Sequence, residues 1–101
     1  MSDVVDNRQA QRFELDLGGG DVALAEYRML GDGKILVPHT VVPDGHEGQG
    51  IGSRLVRAAL ESARERGLKV VPQCVFFASY MKRHPETHDL LDPNAAGLLD
   101  R

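Results

Sequence analysis

Glu47-Gly48-Gln49-Gly50-Ile51-Gly52 is the stretch that decides how this chain reads. Its three alternating glycines follow the extended-looking run 34–42 and open an amphipathic helix. Glycine lacks a Cβ, so the backbone there can take unusual dihedrals and approach a ligand closely. A helix N-terminus adds unpaired N–H groups and the positive end of a dipole. The order strand, glycine loop, helix therefore predicts a bound anion, a phosphate in particular. The plainer reading of the same residues is a loop that only turns a strand into a helix.

Working outward from the loop, Ile51, Leu55, Val56, Leu60, Ala59 and Ala63 recur at helical spacing, and Gly67 stops the helix just past Arg64 and Arg66. Residues 68–74 are short, β-branched and apolar, which predicts a strand parallel to 34–42 through a right-handed crossover. A second helix is predicted from Phe76 to Arg83, ending before Pro85. On the other side, Phe13, Leu15 and Leu17 alternate with polar residues, and Gly18-Gly19-Gly20-Asp21 turns the chain into a second extended run, 22–30. Gly31-Asp32-Gly33 turns it again into 34–42, and Pro43-Asp44-Gly45 ends pairing. The expected fold is a single α/β domain over 12–91, with a mixed sheet of about four strands and two helices. Three of those strands form an antiparallel meander and the fourth is parallel. Residues 1–11 read as a flexible polar lead-in, and 92–101 as a tail that frays or docks Leu98 and Leu99 on a partner.

Length and charge narrow the function classes. A chain of 101 residues makes one domain, near the size at which core packing alone leaves stability marginal, so a homodimer is one expected remedy. Net charge is −3 with both signs interspersed, unlike the one-sided basic surface of a nucleic-acid binder. Cys74 is the sole cysteine, which excludes an intramolecular disulfide. With neither a signal-peptide stretch nor a membrane span in the sequence, a cytoplasmic location is expected. Two phosphate motifs also fail. The dinucleotide fingerprint needs G-x-G-x-x-G, and the P-loop needs Gly-Lys before Ser or Thr, whereas no lysine lies between Lys34 and Lys69.

What the loop resembles is the pyrophosphate-binding segment of the GNAT superfamily of acetyl-CoA-dependent N-acetyltransferases, Q/R-x-x-G-x-G/A, here Glu47-x-x-Gly50-x-Gly52. The likeness continues in Val70-Val71-Pro72-Gln73-Cys74 and Phe77-Ala78-Ser79-Tyr80, and covers roughly positions 13 to 91. From His39-Thr40 through Arg83-His84-Pro85-Glu86 the chain is similar to the very short GNAT-like proteins. The resemblance implies acetyl-CoA as cofactor, with Val42, Glu47, Gly48, Gln49, Gly50, Ile51, Gly52, Ser53, Gln73, Tyr80 and Arg83 as its binding residues. The pantetheine arm would lie between splayed parallel strands near Val42, Gln73 and Cys74, pairing with them like a strand. Arg54, Arg57 and Lys82 are further candidates for an outer phosphate.

The implied reaction is direct attack by a primary amine, either a small molecule or a lysine or N-terminus of a protein. Tyr80 stands where the family carries the acid that protonates the departing thiolate; the alternative is a half-buried packing aromatic. Short relatives often carry Glu after His-Thr, but this chain has Val41, so the base is not carried over. His39 is the replacement read here, against a structural strand histidine, with Glu26 or a water relay as other routes. Cys74 is either a nucleophile that accepts acetyl first or a small buried hydrophobe. His84 and His88 have ligand-like spacing, yet Pro85 lies between them and no third ligand is evident, so no metal is expected. The competing class is a CoA-binding or sensing module without catalysis.

Overall fold

In the computed structural model, which describes residues 3–46 and 48–100, the lead-in is the first departure from expectation. Val5–Asn7 (β1) pairs antiparallel with β2 (Arg12–Gly18) rather than standing unpaired. Its polar sequence carries no strand periodicity, and the tie is tertiary. The Tyr27 hydroxyl donates to Asp6 Oδ1 at 2.6 Å, and the Phe13 and Tyr27 rings pack 5.1 Å apart beneath.

The chain then runs through β3 (Asp21–Glu26), β4 (Arg28–Gly31), β5 (Lys34–Leu36), β6 (Thr40–Val41), α1 (Ile51–Arg66), β7 (Lys69–Val71) and α2 (Val75–Arg83). Two 3₁₀ segments, Pro85–Leu90 and Pro93–Asp100, follow. The α/β class with antiparallel and mixed sheets is as read, but the meander is divided between two sheets. One has the order β1-β2-β3-β6 and is antiparallel; the other is β4-β5-β7, with β5 and β7 parallel. Each long run breaks for a local reason. Tyr27 N–H bonds Gln11 O at 2.9 Å instead of the neighbouring run, and Pro38 has no N–H to give. Glu26 N–H to His39 O at 3.1 Å still stitches across the break.

Helix α1 lies across β2, β3 and β7. Phe13, Leu15, Ala23 and Ala25 face it, the two alanines fully buried, so the helix approaches closely. Ile51, Leu55, Val56, Ala59, Leu60 and Ala63 are its buried face, and each large side chain among them contributes roughly 1.5–3 kcal/mol. Gly67 closes the helix with φ 67°, the left-handed cap that glycine accommodates. Residues of the opposite parity, Arg12, Glu14, Asp16, Leu24, Glu26 and Val41, share the face of the sheet that α1 does not cover.

The C-terminal residues fold back on the chain's own domain. Asp92 is buried, donates its N–H to Val70 O at 2.9 Å and pairs with Lys34 Nζ at 3.5 Å. Leu99 packs against the core, and with Leu98 it lines a small depression beside Val75, Ala78 and Lys82 of α2, so the apolar pair expected to fray or meet a partner lies half-buried on the chain's own helix.

Candidate functional site

Because β5 pairs with β7 only as far as Val37 and Cys74, the chain beyond Pro38 leaves that partner and joins β3 instead. Val37 N–H bonds Val71 O at 3.0 Å and Cys74 N–H bonds Val37 O at 2.8 Å, and then the parallel ladder ends. Strand β6 pairs with β3 along one edge, through Thr40 with Ala25 and Val41 with Leu24. The two runs are thus parallel neighbours up to this point and part beyond it, one joining β3 and the other entering α2. The seam is spanned on the inner side by Cys74 Sγ, 3.6 Å from Thr40 Oγ1.

At the mouth of this seam the chain turns through the glycine loop. Gly45, Gly48 and Gly50 have φ of 89°, 79° and 73°, values that side-chain-bearing residues rarely adopt. Gly50 is the cap of α1 and offers no side-chain hydrogen bond, and the first turn carries no acidic residue. The first helical bond runs from Arg54 N–H to Gly50 O at 3.1 Å, so the N–H groups of Ile51, Gly52 and Ser53 precede it and point out of the helix end. Facing them is a cleft of about 450 Å³ lined by Val42, His46, Gly48, Gly50, Ile51, Gly52, Ser53, Phe76 and Arg83. Bare N–H groups, a helix dipole and one guanidinium are a donor set for an anion, and the apolar share of the lining suits an extended arm.

The structure therefore brings together Val42, Gly48, Gly50, Ile51, Gly52, Ser53 and Arg83 of the residues read from sequence. Glu47 lies outside the described residues. Gln49 and Gln73 are exposed beside the site without lining the cleft. His46 and Phe76 are lining residues that sequence reasoning missed. His46 Nε2 lies 3.0 Å from Asp21 Oδ2, which ties the loop to the β2–β3 turn. Phe76 leans on Gly52, and it shares a helix line with Arg83, seven residues on; that spacing was the available signal.

The three catalytic candidates fall in different places. Tyr80 is not among the cleft residues. It is 7% exposed, stacks on His84 with ring centroids 4.0 Å apart, and borders a separate depression with Arg57, Leu60 and Arg64 of α1. Cys74 is buried at the start of α2 with its thiol toward Thr40. His39 is exposed on the open face, and its Nε2 is 3.3 Å from Glu26 Oε2. His84 and His88 do not converge: His84 Nδ1 lies 3.2 Å from Glu86, while His88 Nε2 donates to Met81 O at 2.7 Å and helps close α2. Among the described residues no cluster of metal-ligating side chains occurs, and no helix is long and apolar enough to cross a membrane.

A glycine loop at a helix N-terminus, beside diverging parallel strands, defines a GNAT-like acetyltransferase fold. The chain belongs to the GCN5-related N-acetyltransferase family, whose sequence model matches residues 12–90. It is 35% identical over 80 residues to Protein NATD1 of Mus musculus, across 78% of this chain and 73% of that protein. Against Protein NATD1 of Homo sapiens the identity is 34% over 80 residues, covering 78% and 71%. The NMR solution structure of a GCN5-like protein from Staphylococcus aureus superposes with a TM-score of 0.70 at 29% identity, covering 91% of both chains.

Proposed function

We propose that the protein binds acetyl-CoA in this cleft and transfers the acetyl group to a primary amine by direct attack. The observation that carries the reading is the placement of the uncapped α1 terminus, Arg83 and the diverging β6 seam around one cleft. The Ile51, Gly52 and Ser53 N–H groups and Arg83 would hold the pyrophosphate, and the edge near Val42 would order the arm. Bound acetyl-CoA supplies an activated acyl carbon. The chain's own part is to anchor the phosphates, extend the arm along the seam and direct the acyl end toward the open face of the sheet. Negative charge develops on the carbonyl oxygen during such a transfer, so backbone N–H groups fixed in advance lower the barrier.

The buried thiol of Cys74, turned toward Thr40, supports direct attack over a route through an acetylated cysteine. A second reading, a CoA-binding module without catalysis, draws support from Tyr80, whose ring is stacked on His84 outside the cleft lining. Thiol release from acetyl-CoA, followed against a panel of polyamines, drug-like amines and a lysine peptide, separates the two. Amine-dependent release supports transfer, while binding of CoA with no release above background supports the module.

A further inference from the structure

On the uncovered face of the first sheet, β3 and the run into β6 set a carboxylate against an imidazole. Glu26 Oε2 lies 3.3 Å from His39 Nε2, and the two residues are also joined through the backbone, Glu26 N–H to His39 O at 3.1 Å. A carboxylate oxygen beside Nε2 favours the tautomer with its proton there, which makes Nδ1 the ring nitrogen able to take up another proton. Among the described residues Nδ1 has no partner. The two side chains are 55% and 39% exposed, open enough for a bulky acceptor to reach.

The pair also sits where the chemistry needs it. His39 and Val41 are two apart in extended backbone, so they share one face, and Val41 is the apolar residue next to the diverging seam. His39 is about 10 Å along the strand from Val42 at the cleft, a span that an arm extended from the phosphates crosses. The other charged groups on this face are Arg12, opposite Glu26 in the register, Glu14, which holds the Arg12 guanidinium to itself, and Asp16, nearer the β2–β3 turn, whose Oδ1 accepts the Gly18 N–H. Arg12 is thus occupied by a second carboxylate.

We propose that His39 is the proton acceptor for the incoming amine and that Glu26 is its positioning residue, an inference that rests on the transfer reading above. The proton passes from the ammonium nitrogen to His39 Nδ1, leaving the lone pair on nitrogen. That pair forms the C–N bond to the acyl carbon while the C–S bond breaks with its electrons on sulfur, and the second proton on nitrogen passes to the thiolate, leaving a neutral amide and the free thiol. The imidazolium keeps its Nε2–H on Glu26 and releases the new proton to solvent.

The test uses the full chain with acetyl-CoA and a lysine peptide, comparing wild type, His39→Gln and Glu26→Gln. At neutral pH, His39→Gln lowers kcat/KM about a hundredfold and Glu26→Gln roughly tenfold, with CoA affinity unchanged by calorimetry. Both deficits shrink as pH rises toward the ordinary amine value of about 10.4, because the acceptor then arrives already deprotonated. A pH-independent deficit, or no deficit, overturns the assignment. Imidazole nitrogen NMR supplies a readout free of turnover: His39 carries its proton on Nε2 in wild type and loses that preference in Glu26→Gln. A wild type that binds CoA yet acetylates nothing sinks the transfer reading itself, whereas an active wild type with an unaffected His39→Gln sinks only this pair.

Discussion

Gly52 lies so close to Phe76 that a Cβ added to it would sit 2.6 Å from Cζ of the ring. The aromatic ring therefore rests on the bare first turn of α1, and the contact shapes one wall of the cleft. Alanine normally stabilises a helix interior by roughly 0.5–1 kcal/mol over glycine. Here Gly52→Ala is expected to forfeit most of that gain, because the half-exposed ring must swing aside to admit the methyl group. In a Phe76→Leu background the gain should return, and denaturant unfolding of the four proteins checks it. Equal effects of Gly52→Ala in both backgrounds would show that the ring is not the cause.

Gly50 is needed for a different reason. No atom lies within 4 Å of a Cβ placed there, but its φ is 73°. Asn tolerates that region and Val does not, so Gly50→Asn should retain CoA affinity while Gly50→Val strains the cap by about 1–3 kcal/mol and turns the N–H groups away. Calorimetric titration of both variants distinguishes this from simple crowding, which would penalise the two alike.

Tyr27 gives a prediction about alkaline stability. Burial, and then its hydrogen bond to Asp6, push its hydroxyl up from 10.0 to about 12. The folded state thus holds this proton more tightly than the unfolded chain does. The stabilisation is complete below pH 10 and is lost as pH rises from 10 to about 12. Tyr27→Phe should remove that part of the alkaline loss, measured as denaturation midpoints across the window in both proteins. Parallel curves would contradict it.

Tyr80 tests the acid role directly. Its packing outside the cleft lining leads us to expect that Tyr80→Phe changes thiol release by less than about tenfold, below the contribution of a positioned general acid. A hundredfold fall with intact CoA affinity would restore the hydroxyl to the reaction.

The legible parts of the fold were those written in local pattern. Helix α1 starts after Gly50 and stops at Gly67 because a positive-φ glycine stands at each end of a helical apolar repeat, and both features are visible in sequence. The first hairpin was legible from the alternation of Phe13 and Leu15. Strand β1 was not, because Asp6 is held by a hydroxyl 21 residues away rather than by apolar periodicity. Neither strand break was read: the missing N–H of Pro38 was the signal available for one, whereas the one at Tyr27 depends on where Gln11 lies. The last residues were hidden for the same reason: Leu98 and Leu99 find their cover on α2, a contact no local pattern announces.

The candidate site divides similarly. Its glycines were legible as bare backbone opening a helix, whereas Arg83 was one of several cations named for an outer phosphate, and the fold is what sets it on the cleft wall. The Glu26–His39 pair depends on strand register, with the two residues placed opposite each other by pairing between β3 and β6. Sequence named both residues as separate candidates, and only the register joins them.

The measurement that bears most directly on the account is isothermal titration of the purified full chain with CoA, run beside Gly50→Val. The account predicts one saturable site in wild type and at least a tenfold weaker one, about 1.4 kcal/mol, in the folded variant. No heat of binding to folded wild-type protein, or equal affinity in both, would contradict the claim that the glycine loop and the α1 terminus hold the phosphates.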